Sequence, residues 1–166
     1  NAQFRPGMLS WNYWIGSGFV LPATPDGREH GQFLSNAICP VNGADTNGPT
    51  GNANSVGKAL GGRDELGVIR NFLPNGASHT ITLSPSLMRD AEHREKLKAF
   101  LKGYIHNGGT ALQINILDAE ILKDAQKHPE NYKNLLVRIT GYNAYFTSIG
   151  RELQNEIIAR ESHNRY

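Results

Sequence analysis

The first 78 residues are dense in Gly, Pro, Asn, Asp and Thr and lack the periodic apolar spacing that builds long helices or strands. Segments such as Pro22-Ala23-Thr24-Pro25-Asp26-Gly27-Arg28 and the stretch from Asn42 to Thr50 are turn chemistry, in which proline fixes φ and glycine supplies positive φ. This half is expected to be mainly loops, and Gly57-Lys58-Ala59-Leu60-Gly61-Gly62 is read as a further turn. It lacks the residue order of a phosphate-binding loop. Loops of this length are uncommon inside a self-sufficient domain, so they predict binding loops, or loops docked on further protein.

The second half is regular, and the chain divides into a loop-rich segment, 1–78, and an α/β segment, 79–166. His79 to Leu83 reads as a short strand ended by Ser84-Pro85. Asp90 caps a helix whose Leu97, Phe100, Leu101 and Tyr104 form one apolar stripe, closed by Asn107-Gly108-Gly109. Thr110 to Leu117 alternates apolar and polar residues, the pattern of a strand with two different faces. Asp118 caps the next helix, which runs through Ile121, Leu122 and Ala125 until Pro129 stops it or allows only a new turn. Leu135 to Ile139 is expected to be a buried parallel strand. A turn follows at Thr140-Gly141-Tyr142. The final helix spans Arg151 to Glu161 with Leu153, Ile157 and Ile158 inward, and His163 to Tyr166 are expected to fray.

Composition excludes several classes of partner. The 17 basic and 15 acidic residues are scattered, with a net charge of +2, so neither a nucleic-acid nor a membrane partner is expected. The alternating charges from Glu92 to Lys98 are a solvated helix face. The single cysteine, Cys39, excludes a disulfide within the chain, and no apolar run approaches the roughly 20 residues that span a bilayer. A cytoplasmic location is expected. The opening Asn1-Ala2-Gln3-Phe4 is neither an initiator methionine nor a signal sequence, which implies that the natural beginning lies upstream. His79, His93 and His106 have no metal-ligand spacing, so no metal is assigned.

Val137-Arg138-Ile139-Thr140-Gly141-Tyr142-Asn143-Ala144-Tyr145-Phe146 resembles the signature of glycyl radical enzymes: Arg, two residues, Gly-Tyr, then an aromatic after a short gap. The resemblance continues through Arg151 to Arg160. Upstream it takes in Gly108-Gly109, Gln113-Ile114-Asn115, Asp118-Ala119, Asp124 to Glu130, Asp45 to Thr50 and Ser55-Val56. It implies the C-terminal part of a ten-stranded α/β barrel, with 1–78 as a barrel segment and 79–166 as the glycine radical domain. Gly141 would store the unpaired electron, supported by Arg138, Thr140, Tyr142 and Phe146. No cofactor would be bound here. The radical would instead be installed by an iron–sulfur activase that uses S-adenosylmethionine, and the enzyme would be anaerobic and oxygen-sensitive. Partners would be that activase, the remainder of the enzyme with its catalytic cysteine, and small accessory subunits.

The residue type suits this chemistry. An electron left on Cα after hydrogen loss spreads into both flanking amides only if the centre is planar, and a side chain obstructs planarity. The plainer reading of Gly141 is a turn with positive φ. Ile139, Tyr142, Tyr145 and Phe146 either wall the loop from water and oxygen or simply pack the core. The loop must open for activation, and Gly150 and Thr147-Ser148 are candidate hinges. Cys39 sits in Ala37-Ile38-Cys39-Pro40, unlike the family's cysteine loop, and is read as inert and partly buried. Gly108 to Asn115 and Thr140 to Phe146 look most like the benzylsuccinate and alkylsuccinate synthases, which implies addition of toluene or an alkane to fumarate. Trp11, Tyr13, Trp14 and Phe19 would then line a hydrocarbon pocket or, more plainly, pack. Arylacetate decarboxylase, formate-lyase-type acyltransferase and a replacement subunit for an oxygen-damaged enzyme are the alternatives.

Overall fold

The first element described is α1 (Tyr13–Val20), followed by α2 (Gly48–Leu60), β1 (Ser78–Leu83), α3 (Ala91–His106), β2 (Ala111–Ile116) and α4 (Ala119–Lys127). β3 (Leu136–Arg138), β4 (Asn143–Tyr145), α5 (Arg151–Ala159) and β5 (Ser162–His163) complete it. The computed structural model describes all residues except 1, 3, 5–6, 8–12, 43, 69–75, 161 and 164–166.

β1 pairs in parallel with β2, Ser78 opposite Ala111 through Leu83 opposite Ile116, and with β5 on its other side, giving the order β2-β1-β5. His163, expected to fray, instead pairs beside Leu83, with Ser162 beside Thr82, and the rest of that expectation, 164–166, lies outside the described residues. His79, Ile81 and Leu83 alternate along β1 and share one face. Ile81 and Leu83 pack with Ala53, Val56 and Leu60 of α2, Leu87, and Phe100 and Tyr104 of α3. The expected α3 stripe is therefore the one that is buried. Asp90 accepts the His93 backbone N–H, satisfying one of the donors that a helix start leaves open. Each fully buried aliphatic or aromatic side chain here contributes roughly 1.5–3 kcal/mol.

The first half departs from its expected loop character through α1 and α2. Residues 48–60, read as turns at both ends, form a 13-residue helix with Pro49 in its first turn and Gly61 at φ +119° closing it. Only Ala53, Val56 and Leu60 carry its apolar stripe, too sparse a pattern among glycines and asparagines to register in the sequence. Gly57 lies inside the helix because α2 and the end of α3 touch there. A Cβ at this position would stand 2.8 Å from the Asn107 carbonyl oxygen.

A second core joins α1, α4, the β3–β4 hairpin and α5 through Trp14, Leu122, Ala125, Val137, Ile139, Phe146 and Ile157. Both cores draw on residues from either side of residue 78. α4 starts at the Asp118 cap and ends before Pro129, where a short 3₁₀ turn, Pro129–Asn131, takes over. β3 corrects another expectation: it is antiparallel to β4, with Leu136 opposite Tyr145 and Arg138 opposite Asn143. The four residues 139–142 close a hairpin and are far too few for the crossover a parallel pair needs. Only one face of β3 is covered, Val137 being buried and Leu136 exposed. The expected end of the last helix, Glu161, lies outside the described residues. The described elements form a mixed α/β unit of two small sheets that do not close into a barrel. Among the described residues, no helix is long and apolar enough to cross a membrane.

Candidate active site

The alternation of β2 places Gln113 and Asn115 on one face, turned toward the hairpin. Asn115 treats Arg138 as a strand would: its Oδ1 accepts the Arg138 backbone N–H at 3.0 Å, and its Nδ2 donates to the Arg138 carbonyl at 3.2 Å. Gln113 Oε1 accepts two donors, Arg138 Nε–H at 2.9 Å and the Gly141 backbone N–H at 3.0 Å. Both are unambiguous donors, so the oxygen of the Gln113 amide faces the hairpin and its nitrogen donates to Ser78 Oγ. Arg138 reaches across the turn with Nη1 to Asn143 Oδ1 at 3.3 Å.

From the opposite side comes Arg160, just past α5. Its Nη1 donates to the carbonyls of Arg138 at 3.1 Å and Ile139 at 3.5 Å. The same guanidinium meets Glu156, whose side chain is 3% exposed. Nη2 lies 2.8 Å from Oε2 but its N–H points off the oxygen, so the directional bonds are Nε–H to the carboxylate at 3.1 Å. Gln154 Nε2 holds the Phe146 and Ile149 carbonyls at 2.9 and 3.2 Å.

At the apex the Tyr142 carbonyl accepts the Ile139 N–H at 2.9 Å. Gly141 is exposed with φ +78°, and a Cβ there would meet nothing within 4 Å. The dihedral alone, not crowding, selects glycine for the turn, at about 1–2 kcal/mol against any other residue. Ile139 and Phe146 are wholly buried and form the floor of the hairpin. Tyr142 and Tyr145 are 40% and 49% exposed in this chain, and alternation along β4 turns Tyr145 away from the core. Thr140 is half-buried. Of the candidate hinges, Thr147-Ser148 lie in a 3₁₀ turn, Phe146–Ser148, and Gly150 precedes α5.

Cys39 is bound to β1 and lines a cavity that Glu156 and Arg160 also line. The Thr80 N–H donates to its Sγ at 3.2 Å and the thiol donates back to the Thr80 carbonyl at 3.5 Å. Burial pushes this thiol above its ordinary range, so it stays protonated, as suits an inert cysteine. His79 is buried, its Nε2 2.8 Å from Asn52 Oδ1, and His93 pairs with Asp90. Among the described residues no three His, Cys, Asp or Glu side chains gather as a metal site.

Among the described residues, the early aromatics Tyr13, Trp14 and Phe19 do not assemble into one apolar pocket. Trp14 is core, Tyr13 is 72% exposed and Trp11 lies outside the described residues. Phe19 packs edge-on against Phe33 at 5.6 Å, beside an open cleft of about 630 Å³ that Asp26, Arg28, Gln32 and Asn42 also line. Sequence reading assigned no role to Gln113, Asn115 or Arg160. The polar positions within the β2 alternation were the available signal for the first two, and the Glu156/Arg160 spacing of four for the third.

Comparison with known proteins places this hairpin in context. The family model described as "Glycine radical" matches residues 34–147, which include the whole hairpin. The chain is 33% identical to the "Probable dehydratase YbiW" of Escherichia coli (strain K12), covering 98% of this chain and 20% of that protein. It is 36% identical to the isethionate sulfite-lyase of Nitratidesulfovibrio vulgaris, covering 89% and 17%. The glycerol-bound B12-independent glycerol dehydratase from Clostridium butyricum superposes with a TM-score of 0.85 at 35% identity, covering 98% of this chain and 20% of the other. The chain thus spans about a fifth of the length of these relatives, which are enzymes of the dehydratase and lyase type. A hairpin carrying the Arg138 to Tyr142 signature inside so extended a match belongs, with the chain as a whole, to the glycine radical domain family of the glycyl radical enzymes.

Proposed function

We propose that this chain is the radical-storing portion of a glycyl radical enzyme, that Gly141 holds the electron, and that the catalytic cysteine lies outside the chain. One observation carries this: Gly141 stands at the apex of a hairpin, within the matched segment, with open space where a Cβ would stand and with the hairpin base locked from two sides. An activase removes one hydrogen atom from Gly141 Cα. The glycyl radical then takes a hydrogen atom from a cysteine thiol, and the thiyl radical so formed takes one from substrate. Arg138, Thr140, Tyr142 and Phe146 support the loop. The exposed apex is covered by the remainder of the enzyme, which also supplies the barrel.

The overall reaction is an elimination from a small polar substrate, in line with the dehydratase and sulfite-lyase names of the relatives. Addition of toluene or an alkane to fumarate, the finer reading from sequence, draws no support from those names, nor from aromatics that scatter between core, surface and a mixed cleft. The test is anaerobic activation of the complete enzyme carrying this segment. Electron paramagnetic resonance should give a doublet from the single Cα hydrogen that remains. Persistence of the same doublet in Gly141→Ala would defeat the assignment. Turnover of toluene with fumarate, but not of diols or hydroxysulfonates, would defeat the elimination reading.

A further inference from the structure

We propose that Gln113 is the positioning residue that latches the Gly141 loop and sets how readily it opens; this rests on Gly141 being the radical site. The geometry is specific. A single oxygen, Gln113 Oε1, receives the N–H of the apex glycine at 3.0 Å and the Nε–H of Arg138, at the hairpin's base, at 2.9 Å. Gln113 belongs to β2, which is fixed along its whole length to β1, so the latch ties the hairpin apex to the parallel sheet. Its amide nitrogen donates to Ser78 Oγ on β1, and the two fixed N–H donors, from Gly141 and Arg138, keep the carboxamide oxygen turned toward the hairpin. Breaking the bond to Gly141 releases the Gly141 N–H from β2 while Asn115 and Arg160 still hold the backbone at Arg138. The accepted bond also acts on the radical. It concentrates electron density on the Gly141 nitrogen, the donating partner in delocalisation from Cα.

A latch makes opposite predictions for opening and protection, which a merely structural glutamine does not. Gln113→Leu keeps approximate volume and removes the acceptor. In the complete enzyme with its activase, this variant should acquire radical faster and lose it to oxygen faster, each by about two- to tenfold, the net worth of one hydrogen bond. Gln113→Glu keeps the acceptor and adds charge opposite Arg138, and a Ser78 hydroxyl can donate to its second oxygen. It should activate more slowly and survive oxygen longer. In this chain by itself, amide exchange at Gly141 should accelerate in Gln113→Leu and slow in Gln113→Glu. Unchanged exchange and unchanged rates in both variants overturn the latch, as does a fall in radical yield in both with the oxygen lifetime unaltered. Failure of the underlying radical assignment is read separately, from a doublet that survives Gly141→Ala, and leaves the exchange result to judge the latch.

Discussion

Replacing Arg160 with methionine tests what holds the hairpin base. Methionine fills most of the arginine stem but strips Glu156, 3% exposed, of the cation that pairs with it, and it removes the donors to the Arg138 and Ile139 carbonyls. Removing one partner of a buried pair leaves an uncompensated charge and typically costs about 3–5 kcal/mol. With a urea slope of about 2 kcal/mol/M for a chain of this size, the denaturation midpoint should fall by roughly 1.5–2.5 M. Glu156→Leu combined with Arg160→Met removes both charges. It should recover much of the loss, leaving about 1–2 kcal/mol for the two carbonyls deprived of donors. The four proteins form a double-mutant cycle by urea unfolding of the purified chain. A single mutant that loses less than about 1 kcal/mol, or a double mutant as unstable as Arg160→Met, would refute the argument that this pair is a buried clamp.

Other outcomes follow from the same contacts. Gly141→Ala should keep the fold with a loss of about 1–2 kcal/mol from its φ of +78°, measured by urea midpoint; a loss above 4 kcal/mol would mean hidden crowding at the apex. Asn115→Ala should cost about 1–3 kcal/mol by orphaning the Arg138 backbone groups, and should speed amide exchange at Arg138. The Asp90 carboxyl is held below its ordinary range, first by the His93 backbone N–H and then by the His93 ring. Its contribution is therefore present above the usual carboxylate pKa and lost as pH falls through the lowered folded value. Wild type and Asp90→Ala should differ in stability at neutral pH and converge in acid, as followed by circular dichroism; a gap that widens in acid would reverse the sign. Because burial raises the Cys39 thiol, its alkylation by iodoacetamide at pH 8 should be slower in the folded chain than in urea, and equal rates would contradict that burial.

Local signals in the second half were strong enough to survive tertiary context. Asp90 and Asp118 do cap their helices, the Leu97 to Tyr104 stripe does face a core, and Pro129 does stop α4. Failures came where a pattern had two physical solutions. Leu135 to Ile139 is apolar enough for a doubly covered strand, yet the turn after it is too short for anything but an antiparallel return, so alternate residues face out. In α2 the helix is specified by one-sided packing and by Gly57 fitting against Asn107, neither of which propensity reveals. At the candidate site, the sequence signature singled out Gly141. The roles of Gln113 and Arg160 were not legible, because they lie 28 residues before and 19 residues after it, and only folding brings them to the same hairpin.

These supports divide the hairpin into a fixed base and a releasable tip. Val137, Ile139 and Phe146 sit in a close-packed core with Trp14 and Ile157, and Asn115 and Arg160 grip the same Arg138 carbonyl from two elements. Moving that base would expose several fully buried side chains at roughly 1.5–3 kcal/mol each, beyond what docking of another protein readily supplies. The tip is different in kind. Gly141 and Tyr142 are exposed, and the bond from the Gly141 N–H to Gln113 can open without disturbing any residue of the second core. A motion confined to residues 140–142 would break the Ile139 N–H to Tyr142 carbonyl bond as well, and would need dihedral changes at only a few positions, one of them glycine. Opening for hydrogen removal and closing for protection can therefore belong to the same short turn, without unfolding the domain that carries it.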